Sequence, residues 1–189
     1  MTTPTTRTTR TIPTPFVMRL IGALALDPVT YEEVEADASA TGQALLVVVL
    51  SSIGAGIGAY GLGSGSPRTM VFISALSLIA WMAWAMLTYQ IGVKLMPEAQ
   101  TRSSVGELMR TIGFAAAPGM LRIFGVVPGA AIPAFAVTAI WMLIAMIVAV
   151  RQALDYTSTA RAIAVCGLGW VLAVGMAIGL GLVFSPAVS

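Results

Sequence analysis

The sequence predicts an all-α integral membrane protein: a five-span helical bundle with an N-terminal interfacial amphipathic helix, the N-terminus cytoplasmic and the C-terminus outside. Three observations lead there. Hydrophobic residues occupy 58% of the 189 positions and charged residues 10%, with a mean hydropathy of +0.92, far outside the soluble norm. The charges are segregated: long runs carry none, while the segment before residue 40 and the connections carry nearly all of them. Uncharged apolar runs of that length are membrane spans. Finally, with five spans Arg7, Arg10, Arg19, Lys94, Arg102, Arg110, Arg151 and Arg161 fall on one side, and Arg68 and Arg122 belong to the other, eight against two. Excess positive charge marks the cytoplasmic side. A re-entrant third segment would leave seven against three, a weaker bias.

Residues 1–15 contain eight Thr, three Pro and two Arg, too little apolar surface to offset the entropy of ordering, and read as a disordered tail. Arg7 and Arg10 precede an apolar run as in a cleaved signal, but Arg19 interrupts that run and leaves about half of the usual apolar core. Residues 16–40 form a cytoplasmic amphipathic helix and an acidic juxtamembrane turn. Phe16, Val17, Leu20, Ile21 and Leu24 recur at helical spacing, with Arg19 off their stripe. The eleven residues from Phe16 to Leu26 rise about 16 Å, half a bilayer, so this helix lies on the membrane surface or packs its stripe on the bundle. Asp27-Pro28 breaks it. Thr30 and Glu33 then have the spacing of a capping box for a second, acidic helix.

Residues 41–186 form the membrane domain, with spans at about 43–62, 70–93, 111–128, 130–150 and 162–184. Gly54 and Gly58 in the first span make a groove for close helix approach, and Gly175 and Gly179 repeat the spacing in the fifth, so the two spans are candidate neighbours. Ser104 and Glu107 form another capping-box pattern, placing a helix start there. The third span is the flawed one. Pro118 frees the carbonyl of Phe114, and Arg122 sits inside the apolar run, where an arginine costs roughly 2.5–3.5 kcal/mol on insertion scales. All eight acidic residues fall on the cytoplasmic side in this topology. The expected partners of Arg122 are lipid phosphates reached by snorkelling, water, or freed backbone carbonyls, which makes it the candidate lipid-headgroup residue.

Absences exclude chemistry. With no His and one Cys, the chain has no HExxH, no His-rich or Cys-rich metal site, no Ser-His or Cys-His pair and no intramolecular disulfide. No predicted span contains Asp, Glu, Lys or His, so intramembrane hydrolysis by carboxylates lacks its groups. The expectation is a protein that is not an enzyme, with no catalytic residue, no metal ligand and no cofactor. A net charge of +2 is weak grounds for nucleic-acid binding, and none is expected.

Three segments in order, LALDPVTYEEVEAD (24–37), RTIGFAAAPGML (110–121) and WMLIAMIVAVRQALDYTSTARAIAV (141–165), resemble the Yip family of Ypt/Rab-interacting membrane proteins in its bacterial form, over about residues 16–184. The resemblance implies five spans with a cytoplasmic N-terminus. It carries over Asp27, Pro28, Tyr31, Glu32 and Glu33 in the acidic turn, Arg110, Gly113 and Pro118 in the third span, and Arg151 and Asp155 after the fourth. Of these, Asp27, Tyr31, Glu32, Glu33, Arg110, Arg151 and Asp155 are candidate partner-docking residues. Pro118 joins Gly54, Gly58, Gly175 and Gly179 as a helix-packing position. Eukaryotic relatives bind prenylated Rab GTPases and act in vesicle formation; bacterial ones have no such GTPase to bind, so no Rab GTPase is expected if this chain is bacterial.

The functional expectation is a non-enzymatic multi-pass protein of the plasma (inner) membrane that organises membrane, binds lipid or serves as an accessory subunit of a membrane complex. Its partners would be membrane lipids and other membrane proteins or a second copy of itself. The alternative is a transporter or channel for small molecules or lipid. A proline-broken helix near the midplane speaks for it, and the lack of an intramembrane carboxylate speaks against it.

Overall fold

The computed structural model describes residues 14–63 and 66–184, the side chains at 173–174 and 176–184 excepted, and these residues are helical with no strand among them. Most of the expected N-terminal tail lies outside the described residues. Among the described residues three helices are long and apolar enough to cross a membrane: Ala38–Tyr60, Pro67–Leu95 and Ala131–Ala153.

The chain begins with a helical hairpin of α1 (Phe16–Leu24) and α2 (Pro28–Ala36). Asp27 caps α2, accepting from Val29 N at 3.2 Å and from the Thr30 hydroxyl at 2.9 Å, with Pro28 in the first helical position. The expected Thr30–Glu33 capping box is therefore not formed. The aspartate three residues earlier fills the cap, and Thr30 is already inside the helix. Leu26, at φ 62°, makes the turn.

A 3-10 turn at Ala38–Ala40 leads into α3 (Thr41–Tyr60). Next comes α4 (Pro67–Tyr89), capped by Ser66, which accepts from Thr69 N at 3.1 Å; a π-helical turn, Gln90–Leu95, extends it. α5 (Val105–Ala115) opens on the expected Ser104–Glu107 capping box with both halves made, Glu107 N to Ser104 Oγ at 3.2 Å and Ser104 N to Glu107 Oε2 at 2.7 Å. α6 (Ala131–Ala153) and α7 (Thr159–Phe184) complete the chain.

The third apolar segment departs from the expectation of one proline-broken α-span over 111–128. α5 starts earlier, ends at Ala115, and gives way to a 3-10 helix, Ala117–Val126, around Pro118. This segment runs beside α3 in the same direction. Gly113 lies against Ala44, Gly119 against Ser51, Gly54 against Met120, Gly58 against Arg122 and Gly61 against Gly125. Along α3, the seventeen steps from Ala44 to Gly61 rise about 26 Å. The twelve steps from Gly113 to Gly125, the first of them still in α5, cover the same length at an average of about 2.1 Å each, close to the rise of a 3-10 helix. A stretched helix lets a short segment keep pace with a full one.

The same contacts correct the expected pairing of small residues. The groove at Gly54 and Gly58 is occupied by the 3-10 segment, whose backbone approaches so closely that a Cβ at Gly54 would stand 2.9 Å from the Met120 carbonyl oxygen. Among the described residues α7 packs on α6 and α4 instead, and Gly175 has no atom within 4 Å of where its Cβ would be. Gly179 falls where no side-chain surroundings are described. A small-xxx-small spacing identifies a groove without specifying its occupant.

The core is concentrated at the end of the bundle where the hairpin sits, with Tyr31, Val34, Leu108, Ile112, Phe114 and Leu154 fully buried. Outward faces elsewhere are apolar, as on α4, where Val71, Phe72 and Ile79 are all exposed. Apolar surface of this extent requires a hydrocarbon solvent.

Candidate functional site

Two places in the fold concentrate polar chemistry. The first is the seat of the α1–α2 hairpin. Arg19 is only 2% exposed. Its Nε and Nη2 donate to Glu33 Oε1 at 3.1 and 2.8 Å, Nη2 also to Asp37 Oδ2 at 2.6 Å, and Nη1 to the amide oxygen of Gln43 at 3.1 Å. One guanidinium thus ties α1 to α2 and to the start of α3. The Ser39 hydroxyl and Arg19 together hold the Asp37 carboxyl down at about 2.

Arg110, buried on α5, donates Nε to Val34 O at 3.0 Å and Nη2 to Glu35 O. These carbonyls belong to the last turn of α2 and have no partner within the helix, so a cation there satisfies them and opposes the helix dipole. The end of α1 is closed in the same way. Tyr31 donates its hydroxyl to Ala23 O at 3.1 Å, and Trp141 of α6 donates Nε1 to Leu24 O at 3.0 Å. Burial raises the Tyr31 phenol above its usual range.

These bonds fix the hairpin's attitude. Gln152, near the end of α6, donates to Glu32 at 2.7 Å, while Trp141 lies twelve residues back from Ala153, about 18 Å along the helix. The hairpin therefore stands alongside α6 with its Leu26 turn pointing down the bundle. The expected stripe of α1 is divided: Phe16, Leu20 and Leu24 pack on the core, with the Phe16 ring 6.3 Å from that of Phe114, and Val17 and Ile21 face outward beside Met18. A helix flat on a surface would not place Leu24 against Trp141.

The second place is Arg122, on the 3-10 segment. Its Nε donates to Thr138 Oγ1 of α6 at 3.3 Å, and its guanidinium carbon lies 5.4 Å from the centre of the Phe135 ring, a cation–π distance. Thr138 donates its own proton to Ala134 O at 2.7 Å, leaving a lone pair for the arginine. No carboxylate pairs with Arg122 among the described residues. The guanidinium lies level with Thr138, seven residues or about 10 Å into α6, turned sideways onto that helix. This differs from the expected snorkel toward the end of the bundle. Beside it is a cavity of about 340 Å³ between α4, α6 and α7, walled by Trp81, Trp84, Met142, Met146 and Trp170.

The family model described as the Yip1 domain matches residues 21–180, from within α1 to within α7. The chain belongs to the Yip1 domain family. No curated protein matches it, and no solved structure does.

The Yip1 domain match takes in Arg122 and the partners of Arg19 in the hairpin seat, while Arg19 itself lies just before it. Of its candidate docking residues, Asp27, Tyr31, Glu33 and Arg110 are spent inside the hairpin seat, as cap, buried anchor and two ends of hydrogen bonds. Glu32, Arg151 and Asp155 come together with Glu35, Gln152 and Tyr156 around a cleft of about 240 Å³. Burial, followed by the charges of Asp155 and Glu107, pushes the Glu35 carboxyl up to about 7. No group of three or more His, Cys, Asp or Glu able to hold a metal occurs among the described residues.

Sequence reasoning missed a neighbouring knot. Glu98 accepts from Thr157 N at 3.1 Å and the Thr157 hydroxyl at 3.0 Å and forms an ion pair with Arg161 Nε at 3.2 Å, and the Thr157 amide foremost holds its carboxyl below the usual range. Tyr156 donates to Gly92 O at 2.9 Å and Met96 O at 2.8 Å, binding the same two connections. These partners lie some sixty positions apart, so no local spacing announces them.

Proposed function

We propose that this Yip1-domain protein is a non-enzymatic, five-span protein of the plasma (inner) membrane that organises the bilayer by holding its α1–α2 hairpin as a wedge in the cytoplasmic leaflet. The observation that carries the reading is the bond from Trp141 to Leu24, which holds the turn of the hairpin about halfway along α6 from Ala153, less the reach of an indole, while Val17, Met18, Ile21 and Val29 present apolar side chains outward. Apolar volume added to one leaflet only, and anchored to a bundle that crosses both, favours bending toward the other leaflet. Five crossings are supported by the parallel course of α3 and the third segment, and the orientation by the eight-to-two bias of Lys and Arg. Lipids are then the principal partners, with membrane proteins or a second copy at the Glu32–Arg151–Asp155 cleft, and neither nucleic acid nor a Rab GTPase is required.

Reconstitution into vesicles tests the wedge. Electron microscopy should show smaller or tubulated vesicles as the wild-type chain is added, and little change with a variant carrying Ser at 17, 18, 21 and 29. Vesicles equally unchanged, or equally deformed, by the two proteins would sink the reading. Reporter fusions after Arg68, Glu98, Gly129, Tyr156 and Ser189 should alternate outside and inside, beginning outside; a cytoplasmic signal at both Gly129 and Ser189 would reject five spans. Transport is the second reading, favoured by the cavity beside Arg122, and solute or lipid flux into these vesicles would favour it over the wedge.

A further inference from the structure

We propose that the cavity beside Arg122 is a binding site for one anionic phospholipid, with its phosphate on the guanidinium and an acyl chain among Trp81, Trp84, Trp170, Met142 and Met146.

The first step concerns unmet hydrogen bonds. A guanidinium carries five N–H donors. Among the described residues Arg122 uses one of them, on Thr138, and rests its face on Phe135. The remaining donors converge on no carboxylate, and a cation at this depth lacks the water that would otherwise solvate it. An oxyanion with two acceptor oxygens fits a planar fork of this kind better than any neutral group.

The second step is the shape and lining of the space. About 340 Å³ lies at the lower end of ligand-pocket volumes, enough for part of one acyl chain beside the guanidinium. Its walls are aromatic and thioether side chains with Arg122 as the charged member. Such a lining solvates an amphiphile whose acid end is fixed and whose body is hydrocarbon. Methionine accommodates a flexible chain without demanding one shape, and the indoles offer it broad apolar faces.

The third step is access. Among the described lining residues, Ala80, Leu143 and Trp170 are exposed on the outward surface of the bundle. In a membrane that surface meets acyl chains, so an occupant enters sideways from the bilayer. A lipid brings its phosphate along this surface on its own acyl chains, whereas a free inorganic anion would have to enter the hydrocarbon unaided, which favours a lipid phosphate as the source of the oxyanion.

The full chain released into mild detergent from vesicles of equal phosphatidylglycerol and phosphatidylcholine provides the test, read by native mass spectrometry. Wild type should retain one phosphatidylglycerol in preference to phosphatidylcholine. Arg122→Gln should weaken that retention about tenfold, the loss of one charge-assisted contact. Arg122→Lys should keep part of it. Ala80→Phe, at the exposed mouth, should reduce it while the charge stays, so the site can be judged even if Arg122→Gln does not fold. Equal retention of both lipids by wild type, or unchanged preference in folded Arg122→Gln, would overturn the proposal. Displacement of the bound lipid by excess inorganic phosphate would overturn the lipid assignment in favour of a free anion. None of these outcomes bears on the hairpin wedge, which is read from vesicle shape.

Discussion

The guanidinium of Arg19 holds the Glu33 carboxylate through two nitrogens, Nε at 3.1 Å and Nη2 at 2.8 Å, and this grip fixes α1 to α2. The arginine is buried, but the carboxylates of Glu33 and Asp37 stay 35% and 27% exposed. Replacing Arg19 by Leu would let the two acids return to water, so the loss should fall below the full range for a broken buried pair, about 2 kcal/mol. Arg19→Lys should recover less than half of it, because an ammonium cannot bridge both acids and Gln43 at once. Thermal unfolding in detergent checks both values, and a Leu variant as stable as wild type would rule out the clamp.

The hairpin seat should respond to pH in two opposite directions. Glu35 is raised from 4.5 to about 7, so the folded state prefers it protonated. Its contribution is fully present below pH 4.5 and is lost as pH rises through 7. Asp37 is lowered from 3.8 to about 2, so its contribution is present above pH 3.8 and is lost as pH falls toward 2. Limited proteolysis of the hairpin should therefore be slowest in mildly acidic buffer and quicken toward pH 8. Glu35→Gln should flatten the neutral limb and Asp37→Asn the acid limb. A Gln variant that keeps the neutral limb would remove Glu35 as its source.

Much of the fold was legible because lipid imposes a simple rule on composition. Uncharged apolar runs, Ser104–Glu107 and the break at Asp27-Pro28 each act locally, and each appears in the helices. What was not legible depends on partners distant in sequence. Arg19 looked like a charge left off an apolar stripe, and only the return of α2 shows that it faces Glu33 and Asp37. Gly54 and Gly58 marked a groove, but a 3-10 segment rather than α7 fills it, since spacing records the width of a groove and not its neighbour. The candidate site was half visible. Arg122 was conspicuous as a charge in hydrocarbon, whereas the cavity beside it is made by α4, α6 and α7 together and has no signature in any one of them.

The start of α5 offers a cleaner measurement, because its capping box is exposed and touches little else. Ser104→Ala removes the acceptor of Glu107 N and should cost about 1 kcal/mol. Ser104→Asp should restore most of that, since aspartate caps as well as serine and adds a charge favourable at a helix N-terminus. Chemical unfolding in detergent reads the difference. Equal stability of the Ala variant would mean that water replaces the cap without loss.

Two glycine substitutions separate close packing from mere helix weakness. Alanine exceeds glycine in helix propensity by up to about 1 kcal/mol, so wherever space is free the change should stabilise. Gly175 has no atom within 4 Å of the added carbon, and Gly175→Ala should be neutral or slightly stabilising. At Gly58 the added carbon would strike the Arg122 carbonyl and crowd the Phe135 ring, 2.9 Å away. The collision is with backbone, which cannot swing aside as a side chain can, so the 3-10 segment would have to move away from α3. Overpacking of this kind costs about 1–3 kcal/mol, more than the propensity gain returns. Gly58→Ala should therefore lower the unfolding temperature while Gly175→Ala does not. Because the colliding carbonyl belongs to Arg122, the Gly58 variant should also shift the guanidinium and weaken lipid retention, an effect that a plain loss of helix stability would not produce.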